Sequence, residues 1–341
     1  MPRSSRSNSN KLAVTSSRNA AVAVLGAGAW GTALAMVLAR HGAPVRLWGH
    51  RRDSIEAIAR SGRNEAHLPG FSLPEGIEPT ADIATAVDGV GAIIIAVPSE
   101  AFPGLLEHLS EIIQPGLPLV WATKGLAPDG LLGASVVRAL PAHPRGVLSG
   151  PSFAAEVAAE QPTAVTLAVE DSVTEATMSG LLQGPRFRVY TSRDLVGVQL
   201  GGAVKNVIAI ATGIADGLGL GANTRAALIT RGLAEIRRLG QAMGAADETF
   251  SGLAGMGDLV LTCSDDQSRN RRYGLALGRG ELGGLGSETI EGSGTAAQVV
   301  ALATSYAVEL PICTQVAAVM TGRYSAAEAA EALMQRGVHR V

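Results

Sequence analysis

The sequence AVAVLGAGAWGTALAMVLAR, residues 21–40, decides the fold of the first part of the chain. A short apolar run stops at Gly26, and apolar residues return at helical spacing after Thr32. The intervening GAGAWG therefore matches GxGxxG between a strand and a helix, the context that makes this pattern informative. Gly26 permits a tight turn, Gly28 lets the backbone approach a pyrophosphate, and Gly31 allows close helix packing. The segment predicts a dinucleotide-binding site, with a ligand-free glycine-rich turn as the alternative.

A basic turn follows the second predicted strand, residues 44–48, and contains His50, Arg51 and Arg52. A site specific for NAD usually carries an acidic residue here, on the ribose hydroxyls, but this chain has no acid before Asp53. Guanidinium groups pair bidentately with phosphate oxygens, so this turn suits a ribose 2′-phosphate. The sequence favours NADP(H) and admits NAD(H). The alternative is a solvated basic turn without a ligand.

Short apolar strands alternate with helices as far as about residue 192. Further strands are predicted at 92–97, 118–122, 146–149, 163–169 and 186–190, and helices at 83–87, 102–113, 131–139, 153–159 and 173–182. Residues 60–80 are rich in turn formers and are interpreted as a long connection. The alternation predicts an α/β fold with a doubly wound, largely parallel sheet of the Rossmann type.

Beyond residue 192 the pattern is helical throughout, which predicts an all-helical C-terminal domain. The expected helices are 194–215, 224–243, 249–254, 269–279, 294–306, 312–320 and 325–336. Asn223 or Thr224 is expected to cap the second of them, and residues 278–286 to form a mobile loop. The predicted organisation is a disordered tail at 1–20, a dinucleotide-binding domain at 21–192, and a helical domain for substrate and catalysis at 193–341.

Composition excludes several classes of function. The 341 residues are 47% hydrophobic and 17% charged, with a formal net charge of -2, so no global attraction to nucleic acid or membranes is expected. The two cysteines form no spaced metal motif and are too few for a disulfide framework, which indicates a reducing interior. The longest apolar run, 92–97, is far short of the roughly 20 residues of a spanning helix. We expect a cytoplasmic protein, with an organelle transit peptide in the Arg/Ser-rich start as the alternative.

A single lysine lies within the apolar stretch GVQLGGAVKNVIAIATGIADGLGLGANTRAAL, residues 197–228. Burying the ammonium group of Lys205 is unfavourable unless it gains a partner or a lowered pKa. Such a lysine can give a proton to a carbonyl oxygen as hydride arrives. Asp258, in the glycine-rich GLAGMGDLVLTCSD at 252–265, is the candidate partner, because a buried carboxylate also needs one. The alternative is a lysine whose head group reaches water.

Two turns at the carboxyl ends of predicted strands carry polar groups. Lys124 directly follows the strand at 118–122, and Gly150 and Ser152 lie at a strand-to-helix turn. Ligands of open α/β sheets collect at this edge, so these residues are candidates for substrate contact. The alternatives are a surface lysine at 124 and a helix N-cap at 152.

The segment DQSRNRRYG, residues 266–274, concentrates a hydroxyl, guanidinium groups and an amide in Ser268, Arg269 and Asn270. If the segment opens a helix, these groups and the first backbone amides can converge on one dianion. The segment therefore predicts a phosphate site, with a solvated basic helix face as the alternative.

These blocks, taken in order, resemble the NAD(P)-dependent sn-glycerol-3-phosphate dehydrogenases of the bacterial type. The resemblance is carried by GAGAWGTALA, LWGH, WATKGL, SGPSFAAEVA, GGAVKNVIAIATGIADGLGLGANTRAALITRGLAEI, GLAGMGDLVLTC and QSRNRRYG. It extends from residue 21 to the C-terminal helices, and GGAVKN and QSRNRR are its most specific parts. It implies reversible reduction of dihydroxyacetone phosphate to sn-glycerol 3-phosphate, which supplies phospholipid synthesis.

The resemblance also implies roles for individual residues. Lys205 would transfer the proton, with Lys124 and Asp258 as the other catalytic residues. The implied substrate contacts are Lys124, Gly150, Ser152, Lys205, Asp258, Ser268, Arg269 and Asn270. The implied cofactor contacts, added to Gly26, Gly28 and Gly31, are Ala29, Trp30, His50, Arg51, Lys124, Ala154, Arg269 and Glu291. No metal is implied, the substrate is the only expected partner, and a homodimer is left open.

Two other functions are compatible with the residues alone. A two-domain dehydrogenase acting on a hydroxy acid would also need an arginine, to bind the carboxylate of its substrate. A sensor that binds NADPH without turnover would use Lys205 and Asp258 as a structural ion pair. The preferred hypothesis makes a spatial prediction: Lys124 and Lys205 meet around one ketone whose phosphate is held by residues 268–270.

Overall fold

The computed structural model describes residues 20–281 and 291–334. Contacts between residues divide this part of the chain into two compact units. The sheet unit contains residues 20–123, 135–148 and 152–195, and the helical unit contains 124–134, 149–151 and the residues from 196 onward. Two short turns, which include Lys124 and Gly150, thus belong to the helical unit despite their place in the sequence. The predicted tail, up to residue 19, and residues 282–286 of the predicted loop lie outside the described residues.

Eight strands form the sheet of the first unit. They are β1 (Val22–Leu25), β2 (Val45–Trp48), β3 (Ile77–Thr80), β4 (Ala92–Ile95), β5 (Leu119–Trp121), β8 (Arg145–Ser149), β9 (Thr163–Val169) and β10 (Phe187–Ser192). Their order is β10-β9-β8-β5-β4-β1-β2-β3, and six of the neighbouring pairs run parallel. At the remaining junction the start of β8 faces the end of β9, where Glu170 N–H donates to the Arg145 carbonyl at 3.4 Å.

The strand order reverses between β1 and β4, which places a topological switch point beside the glycine-rich turn. Both strands are buried along their whole length, as their continuous apolar runs predict for a parallel sheet covered on two faces. The helices of this unit are α1 (Ala29–Arg40), α2 (Arg52–Ser61), α3 (Ile83–Val87), α4 (Phe102–Ile112), the 3-10 turn Ser99–Ala101, most of α5 (Leu132–Ala139), α6 (Ala154–Ala158) and α7 (Ser172–Leu182). The predicted doubly wound α/β fold is confirmed.

The interpretation of residues 60–80 as connection was wrong at its end. β3 occupies 77–80 and pairs in parallel with β2, so that Trp48 lies opposite Thr80. Pro79 argued against a strand here, because proline lacks the N–H group that a central strand donates to its neighbour. β3 can contain it because β3 is an edge strand. Its position at the edge is set by pairing with β2 and not by an apolar run of its own.

The helical unit is built around α8 (Leu195–Gly217), whose residues 197–215 are all buried. Around it lie α9 (Gly221–Ala242), α10 (Asp247–Ser251), a π-helical turn (Leu253–Gly257), α11 (Asp258–Ser264), α12 (Arg269–Arg279), α13 (Glu291–Ser305), α14 (Pro311–Met320), α15 (Ala326–Met334) and the short antiparallel pair β6 (Leu126–Ala127) and β7 (Gly130–Leu131). The cap predicted at Asn223 or Thr224 was wrong, because α9 already begins at Gly221.

Glycines bring α8 and α12 into backbone contact. A Cβ added at Gly213 would lie 2.2 Å from the Arg271 carbonyl oxygen, and one added at Gly274 would lie 2.1 Å from that of Ile210. Since real side chains do not tolerate such distances, only glycine permits this approach. Within the described residues α8 is also the one helix long and apolar enough to cross a membrane, but 89% of its most apolar window is buried inside the protein, as in a core helix.

Candidate active site

The carboxylate of Asp258 holds two lysines. Lys205 donates from Nζ to Oδ1 at 2.6 Å, and Lys124 donates from Nζ to Oδ2 at 2.8 Å. The side chains of Asp258, Lys205 and Lys124 are 1%, 8% and 14% exposed, so the cluster is largely shielded from water. The predicted pairing of Lys205 with Asp258 is present, and all three residues belong to the helical unit.

Two further contacts fix the positions of the amines. Lys205 also donates to Oγ1 of Thr262 at 2.8 Å, and that hydroxyl donates to the Asp258 carbonyl oxygen one turn earlier in α11. Lys124 also donates to the Gly150 carbonyl oxygen at 2.9 Å. Each amine is therefore directed by one carboxylate oxygen and by one neutral acceptor. The predicted residues Lys124, Gly150, Lys205 and Asp258 are brought together.

A π-helical turn delivers Asp258 to this position. A Cβ at Gly255 would lie 2.3 Å from the Phe250 carbonyl oxygen, and one at Gly201 would lie 2.2 Å from that of Ala254. Glycines thus let the turn fold tightly and approach α8 one helical turn before Lys205. Such π-helical turns are frequent at functional sites, because the extra residue redirects a side chain.

The three charges determine the ionisation of the cluster. Burial by itself would raise the pKa of Asp258, but the adjacent charges and hydrogen bonds of Lys124 and Lys205 hold that pKa below its usual value. Asp258 is therefore ionised and pairs with two cations. A carboxylate shared by two amines leaves the cluster cationic, which suits a reaction in which negative charge develops on an oxygen.

Two residues of this region were missed by the sequence interpretation. Thr262 lies on α11, a helix that the glycine-rich sequence did not predict, and directly contacts Lys205. Asn206 is 3% exposed, and its Nδ2 group has no hydrogen-bond partner among the described residues. An amide next to a lysine in an apolar helix was the signal that could have revealed Asn206. Cys263, which follows Thr262, is also buried here, and burial raises the pKa of its thiol to about 12.

The segment predicted to bind phosphate does open a helix. The Ser268 side chain caps α12 by accepting from the Arg271 amide at 3.2 Å. Ser268 and Asn270 are buried, whereas Arg269 is exposed. Because α12 contacts α8 at Gly213, this segment lies in the same unit as the lysine cluster.

The glycine-rich turn has the shape that a dinucleotide requires. Gly26 has φ +125°, and a Cβ there would lie 2.5 Å from the Ala96 carbonyl oxygen, while one at Gly31 would lie 1.9 Å from that of Gly26. By contrast, a Cβ at Gly28 would meet no described atom within 4 Å, so the space above it is open. α1 begins at Ala29, next to this space, with Trp30 in its first turn. The residues present therefore fit a pyrophosphate at a helix N-terminus.

The other predicted cofactor residues are divided between the two units. His50 and Arg51 are exposed just after β2, and Arg51 Nη2 lies 3.1 Å from Nε2 of His67, a neighbour that the sequence did not indicate. Ala154 begins α6, whose N-cap is Phe153, so Ser152 is not the cap. Lys124 and Arg269 belong to the helical unit, as does Glu291, which begins α13 and whose side chain lies outside the described residues. Within the described ranges, no group of three or more His, Cys, Asp or Glu side chains is arranged so that it could hold a metal ion.

Comparison with known proteins identifies the family of the chain. Residues 21–175 match the family model of the NAD-dependent glycerol-3-phosphate dehydrogenase N-terminus, and residues 194–331 match that of its C-terminus. A glycerol-3-phosphate dehydrogenase [NAD(P)+] of Alkalilimnicola ehrlichii is 53% identical over 326 residues, which cover 93% of this chain and 98% of the relative.

Solved structures give the same result. The crystal structure of glycerol-3-phosphate dehydrogenase from Coxiella burnetii is similar with a TM-score of 0.90 and 45% identity, covering 93% of this chain and 99% of that one. The glycerol-3-phosphate dehydrogenase of Saccharomyces cerevisiae is similar with a TM-score of 0.79 and 25% identity, covering 92% and 99%. The chain belongs to the family of NAD(P)-dependent glycerol-3-phosphate dehydrogenases.

Proposed function

We propose that this protein reduces dihydroxyacetone phosphate to sn-glycerol 3-phosphate, reversibly, in the cytoplasm, as a source of glycerol phosphate for phospholipid synthesis. The observation that carries the proposal is the buried Asp258 carboxylate, whose two oxygens accept from Lys124 at 2.8 Å and from Lys205 at 2.6 Å. A cationic cluster of this kind stabilises an oxygen on which negative charge develops.

The reduced nicotinamide, when bound, supplies the hydride that reaches C2 of the ketone. Lys205 gives the proton from Nζ to the C2 oxygen and regains one from solvent. Lys124, directed by Asp258 and the Gly150 carbonyl, adds a second positive charge beside that oxygen. Thr262 holds Lys205 in place through a hydrogen bond of 2.8 Å. This is the work of a general acid supported by fixed charges.

The phosphate of the substrate is assigned to the start of α12. Ser268, Arg269 and Asn270 stand at this helix N-terminus, where backbone amides and the helix dipole favour a dianion. Binding the phosphate fixes its distance from the carbonyl carbon. The carbonyl group is then held in the geometry that the reaction needs. Gly150 and Ser152 complete the proposed substrate contacts.

The sheet unit is the proposed cofactor domain, and the helical unit carries the chemistry. The open space above Gly28 and the N-terminus of α1 support pyrophosphate binding there. The exposed guanidinium of Arg51 and the imidazole of His50 support a preference for NADPH over NADH, because both can face a 2′-phosphate.

A steady-state assay tests the proposal directly. Purified protein is mixed with NADPH or NADH and with dihydroxyacetone phosphate or pyruvate, and the loss of absorbance of the reduced nicotinamide is followed. Turnover with dihydroxyacetone phosphate, faster with NADPH, is expected. Turnover with pyruvate alone would indicate a hydroxy-acid dehydrogenase, and cofactor binding without any turnover would indicate a sensor. Either result would reject the proposal.

A further inference from the structure

A buried arginine outside the lysine cluster joins the parts of the helical unit that the reaction needs. Arg271 lies in the first turn of α12, and its side chain is 9% exposed. Its guanidinium donates from Nη2 to Asp216 at 2.6 Å, from Nε to the Cys263 carbonyl oxygen at 3.1 Å, and from Nη1 to Asp266. Three different segments thus meet at one planar group.

Each of these segments leads to a proposed site residue. Asp216 lies near the end of α8, which carries Lys205. Cys263 follows Thr262 near the end of α11, which begins at Asp258. Asp266 lies in the connection that leads to Ser268 and the phosphate segment. Arg271 therefore connects the segments of the proton donor, of the carboxylate and of the phosphate site.

The partner carboxylate is itself held in place. Both oxygens of Asp216 accept from Arg225 Nη1 of α9, at 3.0 and 2.9 Å, so this carboxylate is shared by two guanidinium groups. Asp216 is 10% exposed, so the loss of one partner would leave a poorly solvated charge without its counter-charge, which is highly unfavourable. The forked geometry of arginine is needed, since a lysine has one charged nitrogen and could not reach all three acceptors.

We propose that Arg271, oriented by Asp216, is a positioning residue that fixes the phosphate-binding start of α12 relative to Lys205. This inference rests on the proposed function. Arg271 does not touch the substrate in this proposal. It acts through the backbone of Ser268 to Asn270, because its own amide is the one that the Ser268 side chain caps.

The test compares two substrates that differ only in the phosphate, dihydroxyacetone phosphate and dihydroxyacetone. The variants are Arg271→Lys, which keeps the charge but loses the fork, and Asp216→Asn, which keeps the size but loses the charge. The matched control is Arg237→Lys, in the exposed pair of Arg237 with Asp247 on the same unit. Circular dichroism and thermal unfolding establish that each variant is folded.

Misplacing the phosphate segment should lower the ratio of kcat/KM for dihydroxyacetone phosphate to kcat/KM for dihydroxyacetone by about ten- to a hundredfold in both variants. Most of the loss should appear in KM, and the control should keep the wild-type ratio. If a folded variant lost kcat/KM equally for the two substrates, the ratio would be unchanged. That result would indicate general damage to the site and would overturn the inference. A wild-type protein that does not prefer the phosphorylated triose would instead reject the proposed function.

Discussion

Lys205 and Asp258, which are 53 positions apart in the sequence, are joined by a buried contact of 2.6 Å between Nζ and Oδ1. The contact depends on glycines, because Gly201 and Gly255 let the turn before Asp258 approach α8. The residue proposed to supply the proton is therefore anchored by the residue that balances its charge. Loss of either member should affect both chemistry and stability, but to different extents.

Replacing the lysine should abolish most of the activity. In Lys205→Ala we expect kcat with dihydroxyacetone phosphate and NADPH to fall by at least about a hundredfold, the usual scale for loss of a general acid. Steady-state kinetics measure this, with fluorescence titration of NADPH to show that cofactor binding persists. Rates within about threefold of wild type would remove Lys205 from the proposed role.

Removing the carboxylate should make stability depend less on pH. The folded-state pKa of Asp258 is lowered below the ordinary 3.8, so its contribution is fully present above that value and is lost as pH falls through the lower folded pKa. We expect Asp258→Asn to be about 3–5 kcal/mol less stable at about pH 7, because two buried amines lose their counter-charge. Urea unfolding should show this difference shrinking below about pH 4. The exposed Glu248→Gln is the control, and a difference that stays constant with pH would contradict the argument.

Removing the exposed arginine of the phosphate segment should weaken substrate binding. We expect Arg269→Ala to raise KM for dihydroxyacetone phosphate by about tenfold or more, since a charge-assisted contact to a dianion is lost. Arg279→Ala, an exposed arginine at the other end of α12, should leave KM near the wild-type value. Equal KM values for the two variants would count against a phosphate site at this helix start.

Cofactor preference should depend on the turn after β2. We expect Arg51→Ala to raise the dissociation constant of NADPH by about tenfold or more while NADH binding changes little, because only NADPH carries the 2′-phosphate. Fluorescence of the reduced nicotinamide gives both constants without turnover. Arg60→Ala, at the far end of α2, serves as the control. If both cofactors were weakened equally, the proposed recognition of the 2′-phosphate would be wrong.

Glycines at the contact of α8 with α12 should not tolerate a methyl group. In Gly274→Ala the new Cβ would overlap the Ile210 carbonyl oxygen, 2.1 Å away. We therefore expect the free energy of unfolding to fall by about 1–3 kcal/mol or more. Gly180→Ala in α7 meets no described atom within 4 Å and should stabilise by up to about 1 kcal/mol, since glycine disfavours helices. Denaturant unfolding of both variants measures the difference. Similar stabilities would show that α8 and α12 can separate without loss.

The sequence predicted the structure correctly where the local pattern and the tertiary packing agree. The run from Ala21 through GAGAWG predicted the strand, turn and helix that form there, and the isolated Lys205 predicted a partner that proved to be Asp258. The prediction failed where tertiary packing outweighs the local preference for secondary structure. The segment LAGMG contains two glycines, which disfavour a helix, yet contact with Phe250 and α8 folds it into a π-helical turn that leads into α11.

Thr262 was overlooked because the sequence did not predict helix α11, on which it lies. Without a helix after Asp258, nothing in the sequence indicated that Thr262 lies one turn away and faces the same lysine. In the same way, β3 has only four residues including a proline, and its pairing with β2 is a tertiary contact. The network of Arg271 joins residues far apart in sequence, and no local spacing predicts it.

Both cysteines of the chain are buried, and burial raises the pKa of Cys263 to about 12 and that of Cys313 well above its ordinary value. Near neutral pH almost no thiolate is therefore present at either position, and maleimides react with thiolate. Because both side chains are also fully buried, we expect maleimides to react slowly with either native thiol. A single cysteine introduced on the surface could therefore carry a spectroscopic label while Cys263 and Cys313 remain in place.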